Sequence, residues 1–170
     1  REEWLGDGTP LRPIHRVSTE QLEAHFRSLC NQIKDRFDIA ERKAGVPYEM
    51  SGIIAITGTD PARHQPFRLQ LIAHPTGRVT LLRCSSPIGR INLRNDAEVD
   101  LLYEIQRDLN QVKVCSSYNV KDRESALRVE GDILFDPAST QVDELEALLF
   151  RVTCASDAIE DRVLNRDADP

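Results

Sequence analysis

The hydrophobic period of this chain changes from one stretch to the next, and that change restricts its possible folds more than any other feature. Leu127, Val129, Gly131, Ile133 and Phe135 alternate with Arg128, Glu130 and Asp132, the two-residue period of a strand with one buried face. Near the start, Leu22, Phe26, Leu29, Ile33 and Phe37 recur every three or four residues, which draws one apolar stripe along a helix. Ser18 and Gln21 have the spacing of a capping box, and Val17 and Leu22 that of a hydrophobic staple. Gly45 and Pro47 offer a stop. Residues 17–44 therefore read as an amphipathic helix.

Further strands lie between these two signals. Ile53, Ile54, Ala55 and Ile56 make a short apolar run over residues 52–58. Phe67, Leu69, Leu71 and Ala73 alternate with Arg68, Gln70 and Ile72, and after His74 to Gly77 a new strand starts on Val79, Leu81, Leu82 and Cys84. A gap holding Pro and Gly joins the last two as a hairpin, and three short strands in succession predict an antiparallel meander. Asn95 with Glu98 then opens a second helix, Asp96 adds an acid to its first turn, and Val99, Leu102, Ile105 and Leu109 form its stripe. Residues 112–120 read as a strand on Val114, Tyr118 and Val120. The last helix begins near Ser139 or Thr140. Its Leu145, Leu149, Val152 and Ile159 fall close to a seven-residue repeat, with polar Ser156 at an intervening seam position. Leu148, Phe150 and Ala155 widen that face, so Leu145, Leu149, Val152 and Ile159 are expected to serve a partner helix as well as the core.

The order α-β-β-β-α-β-β-α predicts an α+β fold, a mixed or antiparallel sheet of about five strands with helices mainly on one face. One domain is expected over residues 18–165, after an arm at 1–17 that holds Trp4 and before a solvated tail at 166–170. With 170 residues, 40 % of them hydrophobic, the chain can fill a core, and disorder throughout is excluded. No apolar run nears the roughly 18 residues that cross a bilayer. Residues 1–17 lack the apolar centre of a signal peptide. Cys30, Cys84, Cys115 and Cys154 follow neither a disulfide framework nor a metal-binding spacing. Free, buried thiols and a cytoplasmic setting are expected.

No nucleophile elbow, phosphate-binding loop, dinucleotide fingerprint, zinc-protease helix or calcium loop is present, so no catalytic residue and no cofactor is expected. His64 and His74 stand ten residues apart around one strand, too far to share a metal. Glu130 and Asp132 fall on one strand face and read as polar decoration facing solvent. Charge is more informative. Between residues 61 and 95 there is no acid, while Arg63, Arg68, Arg78, Arg83, Arg90 and Arg94 all fall there and no Lys does. Arg favours bidentate pairing with carboxylate or phosphate, so Arg68, Arg78, Arg83, Arg90 and Arg94 are candidates for binding a partner or a small anion. The bland alternative is internal neutralisation by helix acids, with Asp100, Glu104, Asp108, Glu144, Glu160 and Asp161 covering the sheet. The net charge of −6 and the single aromatic, Phe67, in the basic stretch argue against nucleic acid as a ligand.

Residues from about 67 to 164 resemble the YbjN-like domain, described as a bacterial sensory-transduction regulator whose fold resembles that of type III secretion chaperones. The matching parts are the strand ending Arg78-Val-Thr-Leu-Leu82, the helix Leu101-Leu-Tyr-Glu-Ile-Gln-Arg-Asp-Leu-Asn110, the strand Leu127-Arg-Val-Glu-Gly-Asp-Ile-Leu-Phe-Asp136 and the long final helix. The resemblance implies a small acidic bacterial protein that binds a client or partner protein, often as a homodimer, without catalysis. The alternative is a small-anion sensor or enzyme built on Arg68, Arg78 and Arg83.

Overall fold

A computed structural model describes residues 18–41, 48–56, 63–73, 79–91, 95–119 and 124–164. The first helix, α1 (Thr19–Phe37), starts as its sequence dictates. The Ser18 side chain accepts from the Gln21 N–H at 3.2 Å and the Gln21 side chain accepts from the Ser18 N–H at 3.1 Å, a complete capping box. It ends seven residues before the expected stop. Asp38 takes a left-handed conformation (φ 45°) and its N–H bonds the Lys34 carbonyl, closing the helix just after the last aromatic of the stripe. The chain then turns into a two-residue strand, β1 (Ala40–Glu41). Gly45 and Pro47 lie outside the described residues.

The remaining elements are β2 (Glu49–Ile56), β3 (Arg63–Ala73), β4 (Thr80–Ile91), α2 (Asp96–Asp108), β5 (Lys113–Asn119), β6 (Glu124–Phe135) and α3 (Val142–Leu164). Five long strands and the short β1 form one antiparallel sheet in the order β1-β2-β3-β4-β6-β5. Strands β2 to β4 make the expected meander. The chain then leaves β4, passes through α2 and returns at the far edge as β5, so that β6 fills the place between them. α2 is capped by the Asn95 side chain, which accepts from the Ala97 N–H at 3.1 Å. Its Gln106 side chain accepts from the Val114 N–H at 2.6 Å, tying α2 to the start of β5.

All three helices pack on one face. Phe67 and Leu69 of β3, Leu82 and Cys84 of β4, and Leu127 and Val129 of β6 meet Leu145, Leu148, Leu149 and Val152 of α3, and all are buried. Two glycines set the spacing of the layers. A Cβ on Gly131 would stand 2.9 Å from Val152, and one on Gly52 would stand 2.6 Å from the Phe67 ring and 2.7 Å from the Phe37 carbonyl. α1 lies beside α3: Phe37 meets Phe150 edge-on with ring centroids 5.6 Å apart, and Arg36 pairs with Glu146 at 2.6 Å. The two terminal helices thus pair with each other. Leu145, Leu149, Val152 and Ile159, expected to offer a face to a partner helix, are instead enclosed by the chain's own sheet and α1. A stripe that wide is consumed by packing on two neighbours at once.

One polar cluster interrupts this core. Gln65 Nε2 stands 3.0 Å from both Ser86 Oγ and Ser156 Oγ and 2.8 Å from the Pro87 carbonyl. Ser156 Oγ donates to the same carbonyl at 2.8 Å, and Ser86 Oγ donates to the Pro66 carbonyl at 2.7 Å. The cluster sits where β3 and β4 part. Their pairing begins at Arg68, and the register of β4 against β6 shifts between Pro87 and Gly89. Side chains there supply the bonds that a regular ladder would have supplied. Pro66, with no N–H to give, stands opposite Ile53 of β2 but lies outside the β3–β4 ladder, where a missing donor breaks no bond.

Candidate functional site

The second face of the sheet carries no helix among the described residues. Strand register orders its side chains into rows. Leu134, Leu81 and Ile72 form an apolar row across β6, β4 and β3, with Leu134 68 % exposed. Next to it run Asp132, Arg83, Gln70 and Glu49, and then Lys113, Glu130, Ser85, Arg68 and Ser51. Beyond them Cys115 faces Arg128, and Ile53 faces Pro66.

The two charged rows are knitted together. Arg83 grips its cross-strand partner Asp132 with two bonds, Nε to Oδ1 at 2.7 Å and one terminal nitrogen to Oδ2 at 2.9 Å. Its other terminal nitrogen is 3.7 Å from Glu130. Glu130 also accepts from Arg128 Nε at 2.7 Å and from the Cys115 thiol at 3.2 Å, with Lys113 Nζ at 3.6 Å. Glu49 accepts from Arg68 Nε and from Gln70 Nε2, each at 3.0 Å. Burial would push the Glu130 carboxyl up, but the bonds from Arg128 and Cys115 and the charges of Arg128 and Arg83 hold it below its ordinary value. The hydrogen bond from Arg83 to Asp132 pushes that guanidinium up further. Cys115 is pushed up by burial and by its bond to Glu130, which disfavours its thiolate.

Of the candidate arginines, Arg68 and Arg83 share this face. Arg90 reaches its far end, because the shift between Pro87 and Gly89 sets it opposite Ala126. Arg78 and Arg94 lie outside the described residues. The neutralising acids come mainly from neighbouring strands. Arg63 follows the helix-acid pattern, with Nε 2.8 Å from Asp157 and a terminal nitrogen 3.1 Å from Asp161. Glu130 and Asp132, expected to face solvent, are corrected here: Glu130 is buried and Asp132 is held by Arg83. Arg128, Lys113 and Glu49 escaped notice because only strand register brings them to the same place.

Among the described residues no three His, Cys, Asp or Glu side chains are placed to hold a metal, and no helix is long and apolar enough to cross a membrane. A cavity of about 100 Å³ between α1 and β2 is lined by Arg27, Cys30, Asn31, Lys34, Ile39 and Met50, well below the roughly 300 Å³ of a typical small-molecule site. Compared with known proteins, the chain matches no family model, no curated protein and no solved structure.

Proposed function

We propose that this chain is a non-catalytic protein-interaction module, similar in role to the YbjN-like regulators and secretion chaperones that its C-terminal part resembles, and that it seats a partner protein on the open face of its sheet. One observation carries this reading: a face five strands wide, free of helices among the described residues, that sets an apolar row, exposed at Leu134 and half-buried at Leu81 and Ile72, beside two rows of paired charge. Exposed apolar surface rimmed by polar groups is typical of surfaces that bind proteins. The small-anion alternative is less well supported, since Arg68 and Arg83 stand on an open sheet face and neither lines the cavity between α1 and β2. The four unpaired thiols suit the cytoplasmic setting. A homodimer would draw on the same open face or on the sheet edges, because α1 and α3 are engaged with each other.

The test is a native pull-down from source-cell lysate with the wild type beside Leu134→Glu, after matching melting curves show that both are folded. A stoichiometric protein retained by the wild type and lost by the variant is the expected result. A bait that retains no protein, and whose melting temperature rises with millimolar nucleotide or phosphate compounds by mass action, would replace this reading with the anion sensor.

A further inference from the structure

The open face is not electrically even from floor to rim. Glu49 and Glu130 lie at its floor with side chains 9 % and 5 % exposed, whereas Arg68, Arg128 and Lys113 above them are 44 %, 39 % and 50 % exposed. Asp132 lies nearer the surface, and Arg83 engages both of its oxygens. Arg68, Arg128 and Lys113 stand above the carboxylates that hold them and are what an approaching molecule meets first, whereas Arg83 and Asp132 are about equally exposed. Among the described residues the knitted rows carry four cations, Arg68, Arg83, Arg128 and Lys113, against three carboxylates, Glu49, Glu130 and Asp132, with Arg90 at the far end of the face. The chain as a whole carries −6, and its acids crowd onto helices such as α2, where Asp96, Glu98, Asp100, Glu104 and Asp108 face a single Arg107. Basic partners are therefore drawn to the helix layer and acidic ones to the sheet. Beside the cations runs the apolar row Ile72, Leu81 and Leu134.

We infer that the partner segment docking on this face is acidic and apolar in alternation or on one helical face, its carboxylates meeting Arg68, Arg128 and Lys113 while an apolar side chain covers Leu134 and Leu81. The inference rests on the interaction-module reading and adds the chemistry of the partner. Polyanions in general meet the charge but leave the apolar row uncovered, which favours a peptide over nucleic acid.

The experiment titrates the full chain with three labelled peptides of equal length, one of Glu and Leu, one of Lys and Leu, one of Glu and Ser, and with an oligonucleotide of matching charge. The Glu–Leu peptide is expected to bind about tenfold more tightly than the others and to weaken as salt rises. Leu134→Glu should cost about tenfold and Lys113→Gln a smaller factor, with unchanged melting curves. Equal or tighter binding of the Lys–Leu peptide or the oligonucleotide, or indifference to Leu134→Glu, overturns the inference. A photo-crosslinking residue at position 134, used in source cells, separates the two levels. Capture of a protein through a segment that is not acidic ends this inference and leaves the module reading standing. Capture of nothing, with no peptide binding, ends both. A crosslink to α2 of a second copy makes the acidic segment the chain's own and overturns a separate partner.

Discussion

Glu130 is 4 % exposed, and three cations and a thiol surround it. Burial alone would raise its pKa above the ordinary 4.5, yet Arg128, Cys115 and Arg83 together hold it lower. A carboxyl with a lowered pKa in the folded state stabilises the fold at pH values above its ordinary pKa. That stabilisation is lost as the pH falls through the lowered value. Thermal melts of the wild type and Glu130→Gln should therefore differ most near neutral pH and converge only in acid, once the pH has fallen through the lowered value. A difference that stays constant into acid would mean that the carboxylate charge contributes nothing. The variant is expected to be clearly less stable at neutral pH, since removing one member of a buried charged cluster leaves the others uncompensated.

At the scale of elements, the joint between α3 and the sheet depends on a polar contact inside an apolar interface. Gln65, Ser86 and Ser156 bring β3, β4 and α3 together around the Pro87 carbonyl. Gln65→Leu keeps the volume but removes the amide, so two buried hydroxyls lose a partner. Each hydroxyl still donates to a carbonyl, so what is lost is the bond it accepts, worth about 0.5–1.5 kcal/mol apiece. The urea midpoint should fall by the corresponding amount with an unchanged slope, and a midpoint equal to that of the wild type would show that water or relaxation replaces the amide. The α1 terminus follows a related logic. Phe37 packs on Phe150, and its carbonyl lies against Gly52 where a Cβ would stand only 2.7 Å away. The helix therefore ends where β2 approaches most closely, ahead of the Gly and Pro that mark a stop in the sequence.

For the whole molecule, the four thiols sample different depths. Cys154 is exposed, Cys115 half-buried, and Cys30 and Cys84 buried in α1 and β4. Burial pushes Cys30 up to about 12 and Cys84 higher still, so neither supplies thiolate at neutral pH in the native state. A thiol-specific reagent should modify Cys154 first and Cys115 more slowly. Cys30 and Cys84 should react only as fast as the whole domain opens, at one shared rate that denaturant raises for both. Distinct rates for those two would show that the α1 layer and the central sheet open separately. At the same scale, two acidic helices, α2 and α3, back a sheet whose open face exposes Arg68, Arg128 and Lys113.

The hydrophobic periods in the sequence already determined the kind and order of the elements, because burial of one face imposes a two-residue or a three-to-four-residue repeat wherever a strand or helix meets a core. The capping box at Ser18, the Asn95 cap and the meander were readable for the same reason: each is a local pattern. Ser156, a polar residue on an apolar seam, was visible as an oddity, though its partners Gln65 and Ser86 were not. The candidate site was half readable. The run of arginines stood out, but the carboxylates that hold them lie 19 residues from Arg68, at Glu49, and 49 from Arg83, at Asp132, and only strand register pairs them. Register also buried Glu130, moved Arg90 past the irregularity in β4, and turned a broad helical stripe into core. Pairing distant strands is a cooperative choice of the whole sheet, so the depth of a charge and the sign of the exposed rim were decided by the tertiary structure alone.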